Sequence, residues 1–354
     1  MVQSHIFDEL PLHEQQALQR IFDGIDLPPL YSDTIAKRVF NADVHPDRLN
    51  FLLRSIAQDD TIDVQSSASN EALRQSTNSK GMVSDIPSWL RDGRLSDLEV
   101  QNAAQNFIFT RVELYASSML LLQYSASKDQ TKSSVSYKNV KEVLLVVLMV
   151  KSPKAFKDYD QKCDRYIHRF TRMVADSDLT YPSRAKMIYV QLDKCLAQFK
   201  AGVNAEGKDK QPDRLQKWLA MIADVNDGCT VEAAADDETL TGIRTEIRNM
   251  TQDKEVQNML TQDMFDRMDW ESYKEECEEE GMAKGIAQGM AQGMAQGMAQ
   301  GMAQGMVQGM EKGENKLAEL IKKLTPGSDD FIRALNGTAT ERKELYIKYG
   351  ISVD

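Results

Sequence analysis

Cysteine is scarce in this chain and carries no pattern. Cys163, Cys195, Cys229 and Cys277 stand tens of residues apart, which excludes the paired spacing of a zinc site and the density of a disulfide framework and leaves reduced, buried thiols. Histidine is equally thin: His5, His13, His45 and His168 are too scattered in sequence to suggest a metal cluster. Long apolar runs are missing as well. The longest, Val143 to Val150, has eight residues, against the roughly 20 a membrane-spanning helix needs, so no segment is expected to cross a bilayer. Met1 to Leu10 hold His5, Asp8 and Glu9 with no basic cluster before an apolar stretch, so no secretory leader is expected and the cytoplasm is the expected compartment. No G-x-G-x-x-G or Walker-type loop is present, which removes the usual cradle of a nucleotide-binding enzyme.

Net positive charge is lacking too. The 43 Lys/Arg and 54 Asp/Glu leave a balance of -11 over 354 residues, which taken whole argues against a protein that coats nucleic acid or anionic membrane. Divided along the chain, the balance changes sign. Residues 101–200 hold 16 Lys/Arg and 9 Asp/Glu, whereas residues 201–300 hold 10 and 21. Basic residues are densest at 151–172, where Lys151, Lys154, Lys157, Lys162, Arg165, Arg169 and Arg172 interleave with Tyr159, Tyr166 and Phe170. That pattern suits a phosphate-contacting surface, and equally a solvated face that offsets acidic neighbours.

What is present reads as an α/β chain. The composition, 42% hydrophobic and 27% charged, supports a soluble core. A helix over Leu12 to Phe22 precedes the Pro28-Pro29 break. Asp33 is placed to cap a helix to Phe40, and Pro46 suits the first turn of a helix to Ala57 that buries Leu49, Leu52, Leu53 and Ile56. Residues 66–80 read as a loop. Strands are expected at 82–87 and 95–101, a helix from Ala103 to Gln123, a loop at 126–139, and a central strand at 143–150 covered on both faces. Strands at 166–174 and 186–192 flank a turn at Tyr181-Pro182, and beyond Pro212 a helix lines up Leu215, Trp218, Leu219 and Ile222.

Chemistry concentrates between Ser84 and Gln101. A three-residue hairpin loop, Arg91-Asp92-Gly93 with glycine left-handed, pairs Leu90 with Arg94 and sets Asp85 opposite Glu99. Directly opposed side chains have Cβ atoms roughly 4.5–5.5 Å apart. Strand alternation puts Asp97, Glu99 and Gln101 on one face, separated from Leu98 and Val100 on the core face. Two such carboxylates raise each other's pKa unless a cation intervenes, and hard oxygen donors are what Mg²⁺ prefers. An exposed acidic hairpin is the other reading, and a two-residue turn would send Asp85 to the opposite face. Pro87 cannot donate to a ladder, so its strand is expected to be an edge or bulged. Arg111 and Tyr115 share a helix face, either bracing the carboxylates or contacting phosphate, or forming an ion pair and a core hydroxyl contact.

An Asp, about a dozen residues, then Glu-x-Gln at the end of a second strand resembles the active-site motif of the PD-(D/E)XK nuclease superfamily, in its recombination-promoting nuclease/transposase branch. Asp33 to Phe40, the helix at 49–56, the hairpin ending LEVQ, Arg111 and Tyr115, strand 143–150, Leu192 to Lys194, Trp218 and the glycine-rich tail after Trp270 follow in matching order over residues 32–312. The resemblance implies a restriction-endonuclease-like core with a mixed sheet flanked by helices. It implies a metal-dependent DNA endonuclease in which Asp85 and Glu99 hold Mg²⁺ or another divalent ion, with Gln101 as a third catalytic residue. Lys37, Arg111 and Tyr115 are its substrate-side candidates, and DNA is the implied partner. Gln101 stands where the superfamily more often has Lys. A neutral amide orients water but is not a cation, so a catalytically weak or inactive DNA-binding or assembly protein on the same fold is the alternative. The segments expected are a helical extension at 1–30, the nuclease-like core at 31–200, a helical region at 201–275, the repeat at 276–315 and a helical tail at 316–354.

From Gly281 to Gly313 glycine recurs every fourth residue, mostly as Gly-Met-Ala-Gln. Nine glycines at about 1 kcal/mol each make a solitary stable helix doubtful. Four residues turn about 400°, so the glycine stripe drifts about 40° per repeat. Homo-oligomerisation through small-residue contacts and a repeat expanded without function are both open.

Overall fold

The computed structural model describes residues 3–69, 85–104, 107–130, 137–170, 177, 183–203 and 212–353. Along the chain these form α1 (Gln3–Glu9), α2 (Leu12–Phe22), α3 (Asp33–Val39), α4 (Pro46–Ala57), β1 (Val64–Ser67), β2 (Ile86–Leu90), β3 (Leu95–Gln101) and α5 (Ile108–Gln130). There follow β4 (Val143–Met149), α6 (Lys154–Lys157), β5 (Ile167–Phe170), β6 (Ala185–Gln191), α7 (Leu192–Val203), α8 (Arg214–Ala223) and α9 (Gly228–Ala235). α10 (Glu238–Met250), α11 (Lys254–Lys323), α12 (Asp329–Asn336) and α13 (Ala339–Lys348) complete the chain.

Seven consecutive apolar residues make β4 the centre of a six-stranded sheet ordered β1-β2-β3-β4-β6-β5. It pairs parallel with β3 and β6, while β1, β2 and β5 run antiparallel to their neighbours. Alternation along β4 sends Leu144, Val146 and Leu148 to one apolar layer and Val143, Leu145, Val147 and Met149 to the other. The first layer carries Leu49, Leu52, Leu53 and Ile56 of α4 and Trp218 of α8. α5 covers the second with Ile108, Val112, Tyr115, Ala116 and Met119, spaced at helical periodicity. The expected mixed sheet between helical layers is thus present.

Gly93 adopts φ +83°, Leu90 donates to the Arg94 carbonyl at 2.9 Å, and Gly93 donates to that of Leu90 at 2.9 Å. This is the three-residue turn, and it sets Ile86 opposite Leu98 and Ser88 opposite Ser96. The turn is tied down from outside the hairpin. Arg94 reaches Asp59 at 2.8 Å and Asp92 at 2.7 Å, and Arg91 reaches Asp63 at 2.6 Å. Hydrogen bonds from Thr61 and Arg94 outweigh desolvation and hold the Asp59 carboxyl down at about 2.

Several expectations need correction. Ser32, not Asp33, caps α3, its side chain accepting from Ile35 N–H. Part of the expected loop at 66–80 is β1, a polar strand that pairs with β2; residues 70–80 lie outside the described ones, as do 82–84 and Tyr181-Pro182. β2 is therefore internal. Its Pro87 lies opposite the end of β1, where Ala68 donates to the Pro87 carbonyl at 2.8 Å, and the bulge falls in β1 between Val64 and Ser66. α5 starts later than expected and runs to Gln130; β5 begins at Ile167, residues 171–174 of its expected span lying outside the described ones, and β6 runs Ala185–Gln191 rather than over 186–192.

Two compact units divide the chain, residues 1–268 and 269–354. In the first, Val256, Leu260 and Met264 of α11 join the apolar layer of α4. In the second, Leu320, Leu324, Ala334, Leu345 and Ile351 form a small core. The glycine repeat lies within α11, a continuous helix of 70 residues. Packed turns at both ends supply the costly nucleus, and Met, Ala and Gln propagate it. Among the described residues no helix is long and apolar enough to cross a membrane.

Replacing Arg94 by Met removes its bonds to Asp59 and Asp92 and is expected to lower stability by about 2 kcal/mol. Urea titration reads this as a lower midpoint at constant slope. An unchanged midpoint would show that the turn holds without the Arg94 side chain.

Candidate active site

β3 delivers Asp97, Glu99 and Gln101 to the face that α5 covers, where they are 0%, 2% and 6% exposed. The exposed acidic hairpin is thereby excluded, and so is a polar face separated from the core: this row lies beneath a helix. Continuing the β2–β3 register one step places Asp85 opposite Glu99. Asp85 N–H donates to Glu99 Oε2 at 3.4 Å, a long bond, and Asp85 Oδ2 accepts from Val100 N–H at 2.7 Å.

One cation organises this row. Arg111 donates to Glu99 Oε1 at 2.6 Å, to Gln101 Oε1 at 3.1 Å and to the Tyr115 hydroxyl at 3.1 Å. The guanidinium suits the task because its donors are held in one plane. The Gln101 amide turns the other way, to the carbonyl of Ala103 at 3.1 Å. Arg111 and Tyr115 therefore make an ion pair and a hydroxyl contact that also brace the acidic row.

The electrostatics follow from burial. Desolvation, with the nearby Asp33 carboxylate, pushes Asp85 up to about 6 against the opposing effect of Val100, Lys37 and Arg111. Burial, followed by Asp85 and Asp97, holds Glu99 well above the usual carboxylate range, which Arg111 counters without reversing. Lys37 pairs with Asp33 at 3.1 Å. Burial works against its charge, but Asp33, Asp85 and Asp263 keep its pKa raised, so Lys37 belongs to the same field as Asp85. Burial, then Glu99, raises Tyr115 and keeps it a phenol.

All six residues expected on sequence grounds, Lys37, Asp85, Glu99, Gln101, Arg111 and Tyr115, belong to one contact or electrostatic network. Asp33 and Asp97 belong to it as well. The sequence marks Asp33 only as a helix-cap candidate, and the signal for Asp97 is its alternation with Glu99.

The donor set fits a hard divalent ion in part. Among the described residues no three His, Cys, Asp or Glu side chains form a ready cage. However, Asp85 and Glu99 supply oxygens whose charge is poorly compensated. Mg²⁺ typically takes one or two carboxylates and completes its shell with water and phosphate oxygens.

In chelator-containing buffer, Asp85 should make stability fall as pH rises. Its pKa is about 6 in the fold against an ordinary 3.8, so within that window the folded chain keeps a proton that the unfolded chain has released. Denaturant titrations across the window should show this decline, and Asp85→Asn should flatten it, leaving a higher limb from Glu99. Identical profiles for both proteins would contradict the assignment.

A family profile described as PD-(D/E)XK nuclease family transposase matches residues 31–277. No curated protein and no solved structure matches the chain. The match spans the sheet, the hairpin with its acidic row, α5 and the helices through α10. On that coverage the chain belongs to the PD-(D/E)XK nuclease family transposases.

Proposed function

We propose that this protein is a divalent-metal-dependent DNA endonuclease, hydrolysing phosphodiester bonds in recombination or transposition. The observation that carries the reading is the approach of Asp85 to Glu99 in a buried, charge-strained pair at the end of the sheet. These two carboxylates would hold Mg²⁺ or a similar ion, which when bound stabilises charge on the scissile phosphate and acidifies water. Arg111 holds Glu99 and Gln101 in fixed orientations. Gln101 serves to orient water through its amide. Lys37, beside Asp33 and in the field of Asp85, offers a positive charge to the phosphate, and Tyr115 supports Arg111 from the same helix.

Gln101 also favours a second reading. Its carbonyl is engaged by Arg111 and its amide by Ala103, and it cannot act as a cation. A slow or inactive nuclease-fold protein that binds DNA and assembles through its repeat would suit that state. In the repeat helix Met290, Met294 and Met302 are 72%, 73% and 72% exposed, a surface available to a second copy.

Supercoiled plasmid incubated with Mg²⁺ or Mn²⁺ separates the two. The nuclease reading predicts nicked or linear product, with Asp85→Asn and Glu99→Gln reduced on the order of 100-fold or more, the scale of several kcal/mol of lost stabilisation. Absence of cutting by the wild type with any divalent ion, or equal cutting by the variants, would sink it.

A further inference from the structure

The segment that leaves β4 has a construction the acidic row does not use. β3 and β4 are parallel, with Gln101 opposite Met149, and Val150 N–H donates to the Gln101 carbonyl at 2.9 Å. The chain therefore leaves β4 beside the candidate site, as Lys151, Ser152, α6 and a short 3₁₀ turn at Asp160–Lys162.

Buried polar groups fasten this segment to the start of α7. Ser152 N–H donates to Asp193 Oδ2 at 2.9 Å and its hydroxyl to Asp193 Oδ1. Gln191, fully buried, donates to Ser152 Oγ and Asp160 Oδ1, both at 3.2 Å. Lys194 reaches Asp160 Oδ1 at 2.8 Å. Phe156 is buried against Phe109 of α5, ring centroids 5.4 Å apart, and Phe109 lies two residues before Arg111 on the same helix. The segment is thus held against the helix that braces Glu99.

Its lysines point the other way. Lys151, Lys154, Lys157 and Lys162 are all exposed, and none pairs with an acidic side chain among the described residues. Other exposed cations of the same unit are paired, Lys186 with Glu142, Lys200 with Asp227 and Arg214 with Asp237, or stand singly without an acidic partner among the described residues, as Lys141 and Lys254 do; residues 151–162 differ in gathering four such lysines on one short segment. The segment's acids are Asp158 and Asp160, and Asp160 is already engaged by Lys194 and Gln191. Ordering unpaired cations on a rigid support lowers the reorganisation needed when a polyanion binds.

We propose that residues 151–162 form the surface that holds the sugar–phosphate backbone of DNA beside the candidate site, its four lysines contacting phosphates. The choice of DNA rests on the nuclease reading; the row of cations does not.

The test is binding of a labelled DNA duplex to the full chain over a salt series, followed by fluorescence anisotropy, beside plasmid cutting. The comparison is a variant carrying Lys151→Ala, Lys154→Ala, Lys157→Ala and Lys162→Ala, its fold checked by thermal melting. Each lost phosphate contact removes about 0.9 from the slope of log K against log salt, so the variant's slope should be shallower by roughly 3–4 and its low-salt affinity weaker. Asp85→Ala should keep the wild-type slope. An unchanged slope in the lysine variant overturns the proposal even if the wild type cuts, and so does a wild type that binds no duplex DNA or that prefers duplex RNA. A lost slope with no cutting by the wild type upholds the surface and rejects the nuclease reading.

Discussion

Leu90 donates its amide to Arg94 across a turn that closes because Gly93 takes a left-handed conformation. Side chains on a strand alternate, so the closure decides the side of the sheet on which every acidic residue of the hairpin lies. With this register Asp85 meets Glu99 and the row Asp97, Glu99, Gln101 turns beneath α5; a slip of one residue would separate them. The surrounding structure guards the register twice. Asp59 and Asp63 hold the two arginines of the turn, and β1 adds a further strand behind β2.

The same register creates an electrostatic problem that the fold resolves only in part. Burying carboxylates in a row costs free energy unless a proton or a cation compensates them. Arg111 supplies one positive charge to Glu99, and Lys37, paired with Asp33, acts on Asp85 without a direct contact. What remains is a pair with raised proton affinity, a condition that also favours a divalent ion. The stress is local. The neighbouring strands β4 and β6 are almost wholly apolar on both faces, which gives the site a rigid floor.

Much of this was legible in the residues. The apolar run at 143–150 suits a central strand, and a three-residue loop at Arg91-Asp92-Gly93, counted outward, pairs Asp85 with Glu99. The ordered motifs pointed to the family later matched over residues 31–277. Other features depend on tertiary context. Val64–Ser67 is too polar to read as a strand and becomes one because β2 offers an open edge. The burial of Asp97 and Glu99 is set by α5, which hairpin alternation cannot foresee. Asp33 looked like a cap because Asp is a good cap; the adjacent Ser32 took that place and left the Asp33 carboxylate for Lys37. Summed glycine penalties speak against a solitary helix through the repeat; α11 is not solitary, because packed turns bound it at both ends.

The central claim is that Asp85 and Glu99 together form a divalent-cation site. The most direct measurement is the loss of the free Mn²⁺ resonance signal on titration with the purified chain, with no DNA present, for wild type and Glu99→Gln. The account predicts one Mn²⁺ bound per chain, displaced by excess Mg²⁺ and lost in the variant. Equal binding by wild type and variant, or no binding by the wild type, would contradict it.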